Sequence, residues 1–221
     1  IYSLYSVSGP SDARDEWNNY KYSSVNISHL IKRDSEGNEI WNVKIGADND
    51  FKDIAIDKDG YIYVSGSTRE NMDDQIINNH SNYNKPAPEH FYVAKYNAEG
   101  ERLWTRFTDE IDLPLNNSPY DEDSNLEGIS SLRIGEDGSI YFATAGDANI
   151  NRLTNNIYLN KFSSSGDLIS AHHLEGLGGH QGQINDIDID QNGSLVVGGS
   201  TWGTIQGSEE HSGLYSDPFI R

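Results

Sequence analysis

Two kinds of short β-hairpin alternate along this chain, and their alternation constrains the fold more than any other feature. The first kind occurs three times, over residues 51–66, 129–146 and 184–199. Each copy has a strand of alternating apolar residues, an Asp-Gly or Asn-Gly turn and a second apolar strand. These dipeptides supply the positive φ angles that a tight hairpin needs. Residues 1–9 resemble the second strand of a further copy.

The second kind of hairpin follows each copy of the first. It covers residues 29–41, 91–104 and 157–170, turns at Glu-Gly or Ser-Gly, and begins again at Asp217. Two hairpins in a row predict one four-stranded antiparallel sheet, and such a sheet hides both faces only by stacking between neighbours. The alternation therefore predicts an all-β fold, namely a β-propeller segment of four-stranded antiparallel blades.

The repeat also predicts how the blades divide the chain, which we treat as one propeller region over residues 1–221. We expect a partial blade over 1–46, whole blades over 47–108 and 125–175, and a partial blade over 183–221. The first should lack its innermost strand and the last its outermost, which predicts an excerpt of a larger propeller. The predicted core consists of alternating apolar residues of the inner strands: Ile54, Ile56, Ile62, Val64, Leu132, Ile134, Ile140, Phe142, Ile187, Ile189, Leu195 and Val197.

Two strings of the repeat carry a family resemblance. Residues 61–68 (Tyr-Ile-Tyr-Val-Ser-Gly-Ser-Thr) and 91–104, which run from Phe-Tyr-Val-Ala to Arg-Leu-Trp, resemble the bacterial SBBP β-propeller repeat, related in pattern to NHL-type propellers. The resemblance implies a propeller in a secreted or cell-surface bacterial protein. It implies no catalytic residues, because the family has no active-site motif to transfer to this sequence.

The charge balance restricts the partners. The chain has 16 Lys and Arg against 35 Asp and Glu, a net charge of −19. Such a field repels nucleic acids and anionic lipids, so we expect neither as a partner. No apolar run is long enough for a membrane helix, so no membrane insertion is expected. The absence of cysteine excludes disulfides and cysteine-ligated zinc.

The long connections are all predicted on one side of the blades. In a four-stranded up-and-down blade both hairpin turns lie on one face, here named the turn face, and the other connections lie on the opposite, loop-rich face. Those connections cover residues 9–27, 67–89, 108–124, 146–155, 175–182 and 200–216. Binding residues usually lie on loops that a rigid scaffold holds. We therefore expect a protein, a glycan or another copy of the chain to bind at the loop-rich face.

One connection of that face, the acidic segment, is a candidate metal site. It contains Asp109, Asp112, Asp121, Glu122 and Asp123. Calcium takes six to eight oxygen ligands, which carboxylates and carbonyls of a loop can supply. The spacing follows no established calcium pattern, so a solvated acidic surface is the alternative to a bound calcium ion.

The inner strands contain few residues suited to catalysis. Their arginine and carboxylate residues are Asp53, Asp57, Arg133, Asp186, Asp188 and Asp190, several of which resemble turn or edge residues. We therefore expect a non-catalytic binding or surface-assembly module. The alternatives are a propeller hydrolase or lyase with its site at the inner-strand ends, and a structural subunit of an extracellular filament or sheath. Trp41 and Trp104 are expected to pack the outer strands against the next blade.

Overall fold

The computed structural model describes residues 1–9, 25–47, 49–68, 72, 90–107, 126–129, 131–147, 155–174, 183–201 and 217–220. Within these ranges the regular structure is entirely β, and no helix is present that could cross a membrane. The strands are β1 (Tyr2–Gly9), β2 (Val25–Arg33), β3 (Glu39–Ala47), β4 (Asn49–Ile56), β5 (Ile62–Thr68), β6 (His90–Tyr96), β7 (Arg102–Phe107), β8 (Leu126–Ile129), β9 (Arg133–Ile134), β10 (Ile140–Asp147), β11 (Asn155–Phe162), β12 (Leu168–His173), β13 (Gln183–Ile189), β14 (Leu195–Thr201) and β15 (Asp217–Ile220).

These strands form four antiparallel sheets that follow one another along the chain. The first sheet has the order β1-β2-β3 and the second the order β4-β5-β6-β7. The third has the order β12-β11-β10-β8, and the short β9 pairs with β10 on the same side as β8. The fourth has the order β13-β14-β15. Chain neighbours are therefore also sheet neighbours, as the doubled hairpin predicts.

Local turn chemistry accounts for the hairpins. At each of the six turns a glycine has a positive φ, for example 85° at Gly60, where any side chain would be strained. In that turn the Gly60 N–H donates to the Asp57 carbonyl at 3.1 Å. The Asp57 carboxylate accepts the N–H groups of Asp59 and Tyr61 at 3.0 and 2.9 Å. The turn is thus closed by its own residues, which confirms the hairpin prediction.

Apolar clusters between consecutive sheets hold the sheets face to face. The first cluster joins residues of the first and second sheets, including Leu30, Ile45, Ile62, Val64 and Tyr92. The second joins the second and third sheets, including Tyr63, Val93, Leu132, Phe142 and Phe162. The third joins the third and fourth, including Ala143, Ile157, Ile184, Ile187 and Val197. Antiparallel sheets of three to five described strands, stacked in chain order, make this fold a β-propeller segment, as predicted.

The predicted core is confirmed at most positions and wrong at one. Seven of the twelve residues are buried and four are half-buried, whereas Ile56 is 48% exposed. Ile56 pairs with Ile62, whose side chain belongs to the cluster shared with the first sheet. The first sheet has no described strand beyond β1, so nothing in the described part of the chain covers the end of β4 on this side.

Candidate functional site

Charged side chains of three sheets meet along the inner strands. Asp53 lies on β4, Arg133 on β9, and Asp186 and Asp188 on β13. We call these four residues the charge row. The Arg133 guanidinium lies 3.4 Å from Asp53, 3.0 Å from Asp186 and 3.4 Å from Asp188, measured between nitrogen and carboxylate oxygen. One cation is therefore shared among three carboxylates, and the row keeps a net negative charge.

Asp53 joins the second sheet to the third through a main-chain group. Its Oδ2 accepts the Leu132 N–H at 2.8 Å, and its Oδ1 accepts the N–H of its own neighbour Ile54 at 2.8 Å. A bulge in β4 precedes this contact, because Phe51 pairs with Gly66 and Asp53 already with Ser65. Bulges redirect side chains and bend strands. Both Asp53 oxygens are thus used in fixing main chain.

Ser131 repeats this contact one sheet further along. In the aligned repeats Ser131 occupies the position of Asp53, and Ile187 that of Leu132. The Ser131 Oγ accepts the Ile187 N–H at 3.0 Å and donates to the carboxylate of Asp186. A polar side chain near the start of one inner strand therefore accepts an N–H of the next, in two successive interfaces. This inter-sheet bond was not predicted from the sequence.

The two remaining inner-strand residues named from the sequence, Asp57 and Asp190, serve their own turns, as the sequence suggested. Asp57 accepts the turn N–H groups described above and also the Tyr63 hydroxyl at 3.0 Å. Asp190 accepts the N–H groups of Asn192 and Ser194, both at 2.8 Å. These bonds, the one from Ser194 first, lower the pKa of the Asp190 carboxyl. Both carboxylates act as turn residues of the hairpins.

A second set of inter-sheet contacts lies on the turn face. Lys32 donates to the Ala98 carbonyl of the next sheet at 3.0 Å, and Lys95, its repeat equivalent, to the Ser164 carbonyl at 3.1 Å. The Lys95 ammonium also lies over the ring of Tyr63, its partner across the strands, at 5.0 Å from the centroid. Lysine ammonium groups thus cross from one sheet to a turn carbonyl of the next.

The tryptophans pack against the next sheet, which confirms their predicted role. The Trp41 indole donates to the Ala98 carbonyl at 3.1 Å and covers Gly100, where an added Cβ would lie 3.2 Å from the ring. Trp104 covers Gly166 in the same way, at 3.3 Å. Both glycines have a positive φ. Glycine at these positions therefore permits both the positive φ of the turn and the close contact with the indole.

The predicted metal site and most of the loop-rich face lie in parts of the chain that the structure does not describe. Asp109, Asp112, Asp121, Glu122 and Asp123 lie outside the described residues. Among the residues that the structure describes, no three His, Asp or Glu side chains are placed to hold a metal ion. The charge row is consistent with that finding, because Arg133 lies among its three carboxylates.

Comparison with known proteins gives similarity of fold only. No protein-family model matches the sequence, and no curated protein matches it. Among solved structures, a protein of unknown function from Bacteroides caccae is 11% identical with a TM-score of 0.41, over 80% of this chain and 49% of that one. Puromycin hydrolase is 11% identical with a TM-score of 0.43, over 96% of this chain and 30% of that one. A mutant of puromycin hydrolase complexed with PGG is 12% identical with a TM-score of 0.43, over 88% and 27%. The chain spans half of the first protein and less than a third of the other two.

Proposed function

We propose that this chain is a non-catalytic β-propeller module of a secreted or cell-surface bacterial protein. Its loop-rich face binds a protein, a glycan or another copy of the chain. The observation that carries the proposal is that side chains of the charge row are bonded to main-chain groups. Both oxygens of Asp53 accept main-chain N–H groups, and the Arg133 guanidinium also donates to the Leu132 carbonyl at 2.9 Å.

The same observation weighs against the hydrolase or lyase alternative. General acid–base catalysis needs a side chain within hydrogen-bond reach of the reacting proton and able to exchange it. In the charge row, two main-chain N–H groups hold the Asp53 carboxylate in place, and a main-chain carbonyl holds the Arg133 guanidinium. The polar groups of the inner strands are therefore suited to fixing the stacked sheets. A rigid stack is the scaffold on which variable loops can be displayed.

A loop-replacement experiment tests the proposal. Residues 70–88, one connection of the loop-rich face, are replaced by a Gly-Ser linker, and the matched control carries Glu99→Gln on the turn face. Each protein is tested for binding to a glycan panel and to the immobilised wild-type chain, and for turnover of ester, peptide and glycoside substrates. We expect binding that is lost in the loop variant and kept in the control, without turnover.

Two results would overturn the proposal in different ways. Turnover that disappears in Arg133→Gln, with the fold retained by circular dichroism, would establish an enzyme and place its site at the charge row. Binding that survives loop replacement would show that residues 70–88 do not contribute to it. Self-association that depends on the loop would favour the assembly form of the proposal, including the filament or sheath alternative.

A further inference from the structure

A cleft of about 320 Å³ lies on the turn face between the inner hairpins of the third and fourth sheets. One wall is the turn that contains Glu136 and Asp137, and the other is the turn that contains Asp190 and Gln191; Tyr141 also lines the cleft. It is distinct from the loop-rich face, on which the proposed function rests.

The preceding interface shows which group occupies the equivalent position there. In the aligned repeats Lys58 of the second sheet corresponds to Glu136 of the third, and Glu136 corresponds to Gln191 of the fourth. Lys58 reaches the next sheet and donates its ammonium to the Glu136 carbonyl at 3.0 Å. The equivalent bond at the cleft would run from residue 136 to the Gln191 carbonyl. A glutamate cannot make it, because an ionised carboxylate has no proton to donate.

A smaller residue on the same face widens the gap. Asp57 and Tyr61 of the second sheet correspond to Gly135 and Ser139 of the third. Tyr61 stands beneath the Lys95 ammonium at 4.2 Å from its ring centroid, whereas Ser139 is buried against its own turn through a bond to Asp137 at 2.8 Å. The Tyr61 ring therefore has no counterpart at the next interface, whereas the place of the Asp57 side chain is taken by Asp137, whose Oδ1 would lie 2.8 Å from a Cβ added at Gly135.

The lining of the cleft favours a cation. Glu136, Asp137 and Asp190 line it, and main-chain N–H groups, from Ser139 and Ser194 foremost, lower the pKa of the two aspartates. Lys161 offsets part of this charge, since its ammonium lies 3.5 Å from Asp137 and 5.1 Å from the Tyr141 ring centroid. Within the described part of the chain, no side chain donates to the Gln191 carbonyl.

We propose that this cleft binds a primary alkylammonium group, which bridges the Glu136 carboxylate and the Gln191 carbonyl. The bound ammonium takes the place that Lys58 occupies in the preceding interface, with its alkyl chain directed along the Tyr141 ring. A primary ammonium has three donors, enough for a carboxylate and a carbonyl together. A lysine side chain of a partner and a free alkylamine share this chemistry.

The test measures backbone amide NMR shifts of the full chain at matched ionic strength. The probes are n-butylamine, for the free amine, and acetyl-lysine methylamide, for the lysine side chain; the Nε-acetylated form of the latter lacks the charge. We expect the first two to shift the amides of both turns, residues 135–138 and 190–193, and the third to leave them unchanged. Tighter binding of the lysine probe would point to a protein partner, and tighter binding of n-butylamine to a free amine.

Two variants distinguish binding in the cleft from general effects of charge. Glu136→Gln should weaken binding about tenfold, the loss of one charge-assisted hydrogen bond. Glu136→Lys restores the residue of the preceding interface, so it should abolish binding and raise the midpoint of thermal unfolding. Glu99→Gln and Glu99→Lys, the same changes at an exposed turn of the second sheet, should do neither. Equal effects at both positions, equal shifts with sodium chloride, or no shift with either amine would overturn the proposal.

Discussion

Removal of the Asp53 carboxylate should loosen the contact between the second and third sheets. In Asp53→Ala the Leu132 N–H loses its acceptor at 2.8 Å, next to a Leu132 side chain that is fully buried. A buried donor without a partner costs about 1–3 kcal/mol. The lost ion pair with Arg133 adds about 0.5 kcal/mol or less, because both side chains are near 30% exposed and the other two carboxylates remain. We expect the free energy of unfolding to fall by about 2 kcal/mol.

Urea unfolding followed by tryptophan fluorescence measures this change. Asp59→Ala is the matched control, since it removes an exposed carboxylate of the same sheet and should change stability by about 0.5 kcal/mol or less. Asp53→Asn keeps one carbonyl oxygen and should lose about 1 kcal/mol, because its amide N–H₂ then faces a second donor. Hydrogen exchange at the Leu132 amide should quicken in Asp53→Ala and not in the control.

One result would refute this reasoning. If Asp53→Ala and Asp59→Ala unfold at the same urea concentration, the bond to Leu132 contributes nothing measurable. The apolar clusters alone would then hold the sheets together. The charge row would lose its structural explanation, and with it the main support for a non-catalytic module.

Three further predictions concern other parts of the molecule. Trp104→Ala should lower the free energy of unfolding by about 3 kcal/mol, since the indole packs against the next sheet, whereas the exposed Leu103→Ala should cost far less. Burial raises the pKa of the Tyr92 hydroxyl, so its contribution to stability is complete below about pH 10, the unfolded pKa, and should be lost as the pH rises further, as ultraviolet titration of tyrosine ionisation would report. If the acidic segment binds calcium, millimolar calcium should raise the thermal midpoint above that in a chelator, and magnesium at equal ionic strength should not; equal midpoints would leave a solvated surface.

The hairpins could be predicted from the sequence because they depend on neighbouring residues. A turn glycine, an Asp or Asn before it and alternating apolar residues on both sides are all within about fifteen positions. The stacking of the sheets could also be predicted, since a sheet with two apolar faces must be covered on both. The predicted burial of Ile56 was wrong because it depends on a neighbouring sheet and not on the sequence of its own strand.

The charge row could not be predicted, because its members come from three copies of the repeat. Contact between Asp53, Arg133 and Asp186 depends on how far one sheet is displaced along the next, and no local pattern encodes that offset. Ser131 was overlooked because it is uncharged, although it makes the same main-chain bond as Asp53. Alignment of the three copies position by position would have shown that both residues precede an apolar residue in equivalent places.

The contacts between sheets also explain how so degenerate a repeat can stack regularly. On the inner side the acceptor is a side chain and the donor a main-chain N–H; on the turn face the donor is a lysine and the acceptor a main-chain carbonyl. Main-chain groups are the same in every copy, whatever the sequence, so only one side chain of each pair must be kept, and Ser can replace Asp. A copy that loses this one side chain leaves a main-chain group without its partner and a gap beside it. Glu136 stands where Lys58 makes such a bond in the preceding interface, and binding sites of this fold are to be sought wherever a bond of this kind is missing.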